Sequence, residues 1–560
     1  MRPRSPRATK QDPRTNRLTR VGILAAWASI GSFFYYLRRD EILMLGDSVA
    51  HINIARRVFD SLNPGLAQLG TVWLPLPHLL MIPFLLSDKM WQSGIGGSIP
   101  SMIAYVFGAV GIFRLVGVLL ESTSHTRPET HLASSVAALV YGANPNLIYM
   151  QSTALTEPLY LAFFIWAVVY FAEFAAALRK APRQQMDPDY PAARRALLRC
   201  ALFIVCAELT RYDGWFLGAV VGTLIAAIGV CHWKDRVIRW NAVKSLANIA
   251  IAPTLWLIYN AGMYGNPLEF ANGPYSAKAI EQRVAAPNPA AHNLWVAASY
   301  FLKSAQITLA IGNWGRLWLL VAIVVTAVFV WRMRKDVIVG VAALLWSPVV
   351  FYSLSLAYGS IPLHVPMWWP FAIFNQRFGL QLLPLFAISA GLLVAYLSTI
   401  PILRHQWQVA APTVLLIVIS YAFVWADKPL CWQEAWNNWQ VRRGLDTAVQ
   451  LALREFPPNS RFLMDITEHV GIMERLGIPL RRVVNNEDHR PWVRPTDPEG
   501  TWERALADPG RYVDFVIAFE GDLVDKSVSR TNLTLLEVIH AIGRPPARIY
   551  QVHPATNSSR

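Results

Sequence analysis

The stretch VGILAAWASIGSFFYYLRRDEILMLGDSVAHINIARR, residues 21–57, joins an apolar block to a polar segment and indicates the fold of the whole chain. Residues 21–37 carry no charge and are long enough to cross the hydrocarbon core of a bilayer, which takes about 17–25 residues. Residues 38–57 then turn polar and hold aspartate, histidine and arginine side chains. The same alternation recurs along the chain. It predicts a polytopic α-helical membrane protein.

The composition supports a membrane location. Of 560 residues, 54% are hydrophobic and only 16% are charged, and the mean hydropathy is +0.32. Soluble globular domains carry about 25% charged residues, so the apolar blocks need lipid as their solvent. We predict about 11 transmembrane helices, over residues 21–37, 99–120, 132–150, 157–178, 195–210, 214–231, 243–262, 317–333, 336–357, 378–399 and 407–426.

The basic residues predict the orientation of the chain. The net charge of +15 forms no stripe interleaved with aromatic residues, so nucleic acid is excluded as a partner. Basic residues instead fill short loops, as in cytoplasmic connections of membrane proteins. We therefore place the N-terminus in the cytoplasm and the C-terminus outside a plasma or inner cell membrane. The segments assigned to the cytoplasm are the basic tail 1–20, Arg179–Arg195, Lys234–Arg239, Arg332–Lys335 and Arg404.

One apolar segment does not fit a full crossing. Val72–Leu86 is short and contains three prolines, so we predict that it is re-entrant or interfacial within the first outer loop, residues 38–98. By this parity, a long loop at 263–316 and a loop rich in tryptophan and proline at 358–376 also face outward. Most of the long polar loops of the chain are therefore predicted to lie on the outer face.

The region after the last span changes in composition. Charge density rises between residues 427 and 560, and strand-like and helix-like patterns alternate, which predicts a small α/β domain on the outer side. Residues 21–426 would form the transmembrane domain. Strands are predicted at 461–466, 481–485, 512–518 and 547–552, and helices at 434–455, 466–477, 500–508 and 533–542.

The first candidate functional residues are Asp47 and His51 in the first outer loop. Asp47 is placed to cap an interfacial helix over residues 48–60, which is a common role for aspartate. Alternatively, Asp47 is a catalytic base at the membrane surface, with His51 one turn along on the same helix face as a substrate-binding residue. The spacing alone leaves both interpretations open.

Further candidates begin other predicted spans on the outer side. Glu157 suits the positive end of a helix dipole, and also suits a metal ligand or an acceptor-binding carboxylate. Arg211 and Asp213 lie in a tight connection, where a structural ion pair and a substrate-binding pair are both plausible. Arg377 is placed to bind a phosphate or to anchor in lipid headgroups. His78, in the proline-rich segment, is a weaker candidate for substrate binding.

These residues carry a resemblance to a known superfamily. The chain resembles the GT-C membrane glycosyltransferases, in particular the protein O-mannosyltransferase-like (family 39) and aminoarabinose-transferase-like group. The resemblance covers roughly residues 20–425 and departs from the protein mannosyltransferases in having Gly46-Asp47-Ser48 instead of their Asp-Glu pair. The matching segments are residues 46–57, 73–78, 144–146, 155–158, 209–214, 375–378 and 383–384.

The resemblance implies a GT-C-like fold and a reaction. Asp47 matches the first-loop acid that acts as base or metal-proximal carboxylate, and Glu157 matches the acidic position of the second outer loop, so both are assigned as catalytic. Such enzymes move a sugar, with inversion, from a polyprenyl-phosphate donor to a hydroxyl of a lipid, glycan or protein acceptor. A hexosyl- or mannosyltransferase is therefore expected. A divalent metal such as Mg or Mn at Asp47 and Glu157 is compatible with the pattern.

Two other classes of protein are weighed against this hypothesis. A transporter or flippase of a lipid-linked or small solute would show two related halves and ionisable groups near the bilayer midplane. No such repeat is visible, and the candidates cluster at the outer ends of spans. A surface scaffold whose function lies in the C-terminal domain would lose its function on truncation near residue 427.

Overall fold

The computed structural model describes residues 13–122, 127–180, 190–284, 287–403, 405–467, 469, 471–490 and 499–554. Residues 1–12 and 181–189 and Arg404, to which the sequence assigns a cytoplasmic position, lie outside the described residues. The α-helices are α1 Pro13–Arg38, α2 Gly46–Arg57, α3 Leu76–Leu85, α4 Asp88–Gln92, α5 Ile95–Glu121, α6 Arg127–Gly142, α7 Pro145–Met150, α8 Glu157–Lys180, α9 Tyr190–Glu208, α10 Tyr212–Cys231, α11 Arg236–Tyr264, α12 Glu269–Asn272, α13 Ala277–Val284, α14 Leu294–Leu309, α15 Trp314–Met333, α16 Gly340–Tyr358, α17 Leu383–Leu397, α18 Gln406–Ala426, α19 Leu430–Leu453, α20 Gly471–Leu476, α21 Thr501–Ala507 and α22 Leu523–Ser527.

Shorter elements complete the secondary structure. The 3₁₀ turns are Leu66–Leu69, Val337–Val339, Gln376–Leu382, Pro401–Leu403, Leu480–Arg482 and Pro509–Arg511. The strands are β1 Phe462–Met464, β2 Val483–Val484, β3 Phe515–Phe519, β4 Leu533–Ala541 and β5 Arg544–Val552. All five strands lie in the C-terminal region.

The helices confirm a polytopic membrane protein. Among the described residues, nine helices are long and apolar enough to cross a membrane: α1, α5, α8, α10, α11, α15, α16 with its preceding turn, α17 with its preceding turn, and α18. Two further predicted spans coincide with α6 and α9, which are helical but less apolar over a full crossing length. Because all these segments are helical, their backbone hydrogen bonds are satisfied internally, as a lipid environment requires.

The predicted span at residues 132–150 is divided in the structure. Helix α6 ends at Gly142, and α7 begins at Pro145. Asn144 accepts a hydrogen bond from the backbone N–H of Leu147 at 3.0 Å and thereby caps α7. Proline is favoured at the first helical position, because its missing N–H is unneeded there. The pair Asn144-Pro145 therefore divides into two helices an apolar segment that the sequence predicts as one span.

The proline-rich segment of the predicted first outer loop forms α3. Its 10 residues span only about 15 Å, half of the hydrocarbon core, so α3 is too short to cross a membrane. It packs against α2 and α5 instead. The long loop at 263–316 also holds a helix that the sequence does not predict: α14, whose second half is continuously buried.

The C-terminal region forms a five-stranded sheet among the described residues, in the order β2-β1-β3-β5-β4. Strands β1, β2 and β3 run parallel, whereas β5 is antiparallel to both β3 and β4. The helix predicted at 533–542 is wrong, because this segment is β4. It pairs with β5 in a hairpin whose turn holds Gly543 at a φ of 72°. Cross-strand pairing outweighs the helical propensity of its leucines.

Candidate active site

Asp47 lies in the first turn of α2, but it does not cap that helix. Leu45 occupies the N-cap position and makes no side-chain cap hydrogen bond. The Asp47 carboxylate instead accepts a hydrogen bond from Arg377, with 2.5 Å between Oδ2 and Nη2. The Asp47 side chain is 39% exposed, and the Arg377 side chain is 13% exposed. The interpretation of Asp47 as a helix cap is therefore wrong, and its carboxylate is an accessible group held by a cation.

Arg377 connects two of the predicted acids. It lies in the 3₁₀ turn Gln376–Leu382 that leads into α17. Besides its bond to Asp47, it lies with Nε 3.3 Å from Oε1 of Glu157, which begins α8. Residues that are 330 positions apart in the sequence thus form a direct ion pair. The guanidinium is flanked by carboxylates on two sides, so its orientation is fixed.

Arg211 extends this ion-pair network. Its Nη1 donates to Oε1 of Glu157 at 2.8 Å, and its Nε lies 3.3 Å from Oδ1 of Asp213. Tyr352 of α16 donates its hydroxyl proton to Oδ2 of Asp213 at 2.9 Å and lies 3.1 Å from Nη2 of Arg211. Three carboxylates and two guanidinium groups therefore lie at one end of the helical bundle. All five had been selected from the sequence, whereas Tyr352 had not.

His51 and His78 form a buried pair of side chains. Nδ1 of His51 and Nε2 of His78 are 2.9 Å apart, and the His51 ring packs on Trp73 with centroids 4.5 Å apart. Burial lowers the pKa of His51 to about 4 and holds the pKa of His78 well below its usual range. Both rings are therefore neutral near pH 7, and one donates to the other. Both rings are buried, and neither lines the cavity that Asp47 lines.

The electrostatics of Asp47 favour its charged form. Its low-dielectric surroundings raise the pKa, but the charge of Arg377 and the hydrogen bond from it outweigh this effect. The pKa of the Asp47 carboxyl consequently lies below its usual range. Asp47 is therefore ionised at neutral pH, as a proton acceptor must be.

Helix α19 presents a polar face that positions both members of the Asp47–Arg377 pair. Glu434 accepts hydrogen bonds from the backbone N–H groups of Asn375 and Gln376, at 2.6 and 2.9 Å. One turn on, Asn438 accepts from the backbone N–H of Gly46 at 2.9 Å. Another turn on, Arg442 donates to the carbonyl of Met44 at 2.9 Å. The three side chains are spaced i, i+4 and i+8 and therefore share one helix face.

Sequence reasoning missed these three residues, although a signal was present. They recur at helical spacing in a predicted helix directly after the last span. A polar stripe on such a helix indicates contact with the outer ends of the transmembrane helices. What the spacing does not give is the contact partner, because the segments that α19 holds come from distant parts of the chain.

A cavity of about 360 Å³ opens beside Asp47. One wall is α2 and the segment that follows it, and the opposite wall comes from the loop 263–316 and from the C-terminal region. Glu157, Arg211 and Arg377 are not among the residues that line this cavity. The lining residues include Asp47, Arg57, Trp73, Tyr275, Asn438, Arg442, Thr467, Glu487 and His489.

The arrangement of Asp47 and Glu157 does not fit a metal site. Each carboxylate is engaged by an arginine, and among the described residues no group of three or more histidine, cysteine, aspartate or glutamate side chains is placed to hold a metal ion. The positive charge beside these two acids is supplied by Arg377 and Arg211.

Comparison with known proteins identifies the fold. No model of a protein family matches the sequence, and no curated protein matches it. Among solved structures, the aminoarabinose transferase ArnT from Cupriavidus metallidurans bound to undecaprenyl phosphate aligns with a TM-score of 0.54 at 12% identity, over 94% of this chain and 97% of that chain. The oligosaccharyltransferase from Archaeoglobus fulgidus in its apo form aligns with a TM-score of 0.47 at 10% identity, over 96% and 75%. The likeness to ArnT shows that the chain has the GT-C fold.

Proposed function

We propose that this GT-C-fold chain is a glycosyltransferase that moves a sugar from a polyprenyl-phosphate donor to an acceptor hydroxyl on the outer face of a cell membrane. The observation that carries the proposal is the Asp47–Arg377 pair, which joins an ionised, accessible carboxylate to a phosphate-binding type of side chain. Asp47, one member of the pair, lines the cavity. The structural likeness to a protein bound to undecaprenyl phosphate supports a lipid-linked donor.

The proposed reaction is a single displacement. The acceptor hydroxyl loses its proton to the Asp47 carboxylate as its oxygen bonds to the anomeric carbon. The bond between that carbon and the phosphate oxygen breaks, and the electron pair leaves with the lipid phosphate. Attack opposite the leaving group inverts the anomeric configuration. A hexose such as mannose is the sugar class that we assign to the donor.

The arginines supply the positive charge that this reaction needs. Negative charge develops on the departing phosphate, and Arg377 is paired with Asp47 while Arg211 is joined to Arg377 through Glu157. Preorganised cations are strongly stabilising in a site that excludes water. Glu157 holds both guanidinium groups through one oxygen, so we assign it to positioning them. We include no step through a metal ion.

The test is an assay in proteoliposomes with purified full-length protein and radiolabelled polyprenyl-phosphate sugars. We expect release of polyprenyl phosphate with transfer of label to an acceptor fraction, unchanged by a chelator. Arg377→Gln should weaken polyprenyl-phosphate binding, whereas Arg443→Gln, on α19 beside Trp439, should not. Movement of the labelled lipid across the bilayer without any transfer would contradict the proposal and would indicate a flippase.

A further inference from the structure

The cavity beside Asp47 lies where a parallel sheet ends. Thr467 follows β1, and Glu487 and His489 follow β2, so the carboxyl ends of two parallel strands contribute to its wall. In α/β sheets, ligands bind in crevices outside the carboxyl ends of parallel strands. The cavity volume of about 360 Å³ also lies within the range of about 300–1,000 Å³ that is typical of ligand sites.

Each charged side chain that lines this cavity among the described residues has a hydrogen-bond partner. Arg57 donates to Glu487 at 2.7 Å, Asp47 is paired with Arg377, and Arg442 donates to the carbonyl of Met44. Burial lowers the pKa of His489 to about 3, so its ring is neutral at pH 7. Among the described lining residues, two cationic side chains face two anionic ones. Because the formal charges of these four lining side chains sum to zero, a charged ligand would lose hydration without a net opposite charge to replace it, so the lining favours a neutral ligand.

The remaining lining combines aromatic surfaces with hydrogen-bonding groups. Trp73 and Tyr275 contribute rings, while Thr71, Asn438 and Thr467 contribute hydroxyl and amide groups. A sugar ring has apolar C–H faces bordered by hydroxyl groups. It can pack those faces on aromatic rings while its hydroxyls bond to the polar groups. A peptide backbone, by contrast, needs a row of paired donors and acceptors.

We propose that this cavity binds the acceptor and that the acceptor is a neutral saccharide, with the C-terminal domain supplying one wall of its site. The inference rests on the proposed function and names its acceptor class. Asp47 lines the cavity and is paired with Arg377, whereas Arg377, Arg211 and Glu157 do not line it. The reacting hydroxyl therefore comes from the cavity side and gives its proton to Asp47. The phosphate of the lipid-linked sugar is assigned to Arg377, the cation that is paired with Asp47.

The test uses saturation-transfer NMR on full-length protein in nanodiscs, without donor, with three probes: maltose, glucose 6-phosphate and a serine- and threonine-containing peptide. Maltose should bind. Tyr275→Ala should weaken that binding by up to about tenfold, because it removes an aromatic face on which the sugar ring packs. Thr467→Val should weaken it too. The matched variants Tyr358→Ala and Thr531→Val, which change exposed side chains outside the cavity, should leave it unchanged.

Several outcomes would overturn this inference. Preferential binding of glucose 6-phosphate or of the peptide would assign the cavity to an anionic or protein acceptor. Equal maltose binding by Tyr275→Ala and Tyr358→Ala would place the saccharide elsewhere. A saccharide signal only when the sugar is attached to polyprenyl phosphate would assign the cavity to the donor. Tyr275→Ala should still bind polyprenyl phosphate. Failure of the wild type to bind polyprenyl phosphate would instead count against the proposed function.

Discussion

At the scale of single residues, the chemistry depends on how Arg377 changes Asp47. The guanidinium lowers the pKa of a carboxyl whose surroundings would otherwise raise it. A lower pKa keeps Asp47 ionised across the neutral range, while 39% exposure of its side chain keeps it reachable from the cavity. Charge state and access are therefore set by one contact.

This dependence predicts a pH effect. In the wild type, kcat/KM should fall only at a pH below the usual range of an aspartyl carboxyl, because Asp47 must lose its proton to act as base. In Arg377→Gln the guanidinium that lowers the Asp47 pKa is absent, whereas the low-dielectric surroundings that raise this pKa remain. The acid limb of the profile should therefore move to higher pH, beyond any overall loss of rate. Arg443→Gln serves as the control, and an identical acid limb in wild type and Arg377→Gln would contradict the assignment of Asp47 as base.

The sequence predicted much of this residue-scale arrangement. Asp47, Glu157, Arg211, Asp213 and Arg377 were placed on one face because each lies at the outer end of a predicted span, and the structure brings them into contact. Their distances could not be predicted, since these depend on packing between helices distant in sequence. The burial of His51 and His78 could not be predicted either, because a histidine on an amphipathic helix can lie on the buried face or on the exposed face.

At the scale of elements, α19 links the two halves of the site. Glu434 holds the turn that carries Arg377, in which Asn375 has a left-handed φ of 57°. Asn438 and Arg442 hold the start of α2. A rigid helix with three side chains on one face therefore sets the distance between the two segments.

Loss of Glu434 should disturb this positioning. A displacement of about 1 Å at the reacting groups can cost about 10²-fold in rate, so Glu434→Ala should lower kcat/KM by up to about 100-fold. Glu434→Gln, which keeps one acceptor oxygen, should lose less. Displacement of Arg377 should also move the acid limb of the pH profile to higher pH. Glu455→Ala, an exposed change just after α19, is the matched control. A slower Glu434→Ala enzyme with the wild-type acid limb would show that Glu434 does not act through Arg377.

Some elements could not be read from the sequence. The pair Asn144-Pro145 ends a helix inside an apolar block. Hydrophobicity averaged over about twenty residues predicts one continuous span there, so it conceals this local signal. The segment of β4 is a strand because β5 pairs with it, which is a contact between elements and not a local preference. Helix α14 was missed because it lies in a segment interpreted as a loop.

At the scale of the whole molecule, the fold gathers the site at one end of the bundle. The beginnings of α8, α10 and α17 meet the start of α2 there, and α19 with the C-terminal sheet lies over them. The distribution of basic residues in the sequence predicts that this end of the bundle faces outward.

Cysteine labelling in intact cells tests the orientation. Cys231, at the end of α10 opposite the site, is exposed and should react with a membrane-impermeant maleimide only after the cells are permeabilised. In a Cys231→Ser background, Ser529→Cys in the C-terminal domain should react without permeabilisation. Wild-type protein and the Cys231→Ser parent provide the controls. The reverse pattern would place the cavity in the cytoplasm.

The most direct test of the account is sugar transfer by purified wild type and Asp47→Asn, with the exposed change Asp427→Asn as control. A positioned general base contributes about 10²–10⁴-fold to rate, so Asp47→Asn should lose transfer by that factor. It should still bind polyprenyl phosphate and keep the thermal stability of the control. Unchanged transfer in Asp47→Asn would contradict the central claim that the Asp47 carboxylate takes the proton of the acceptor.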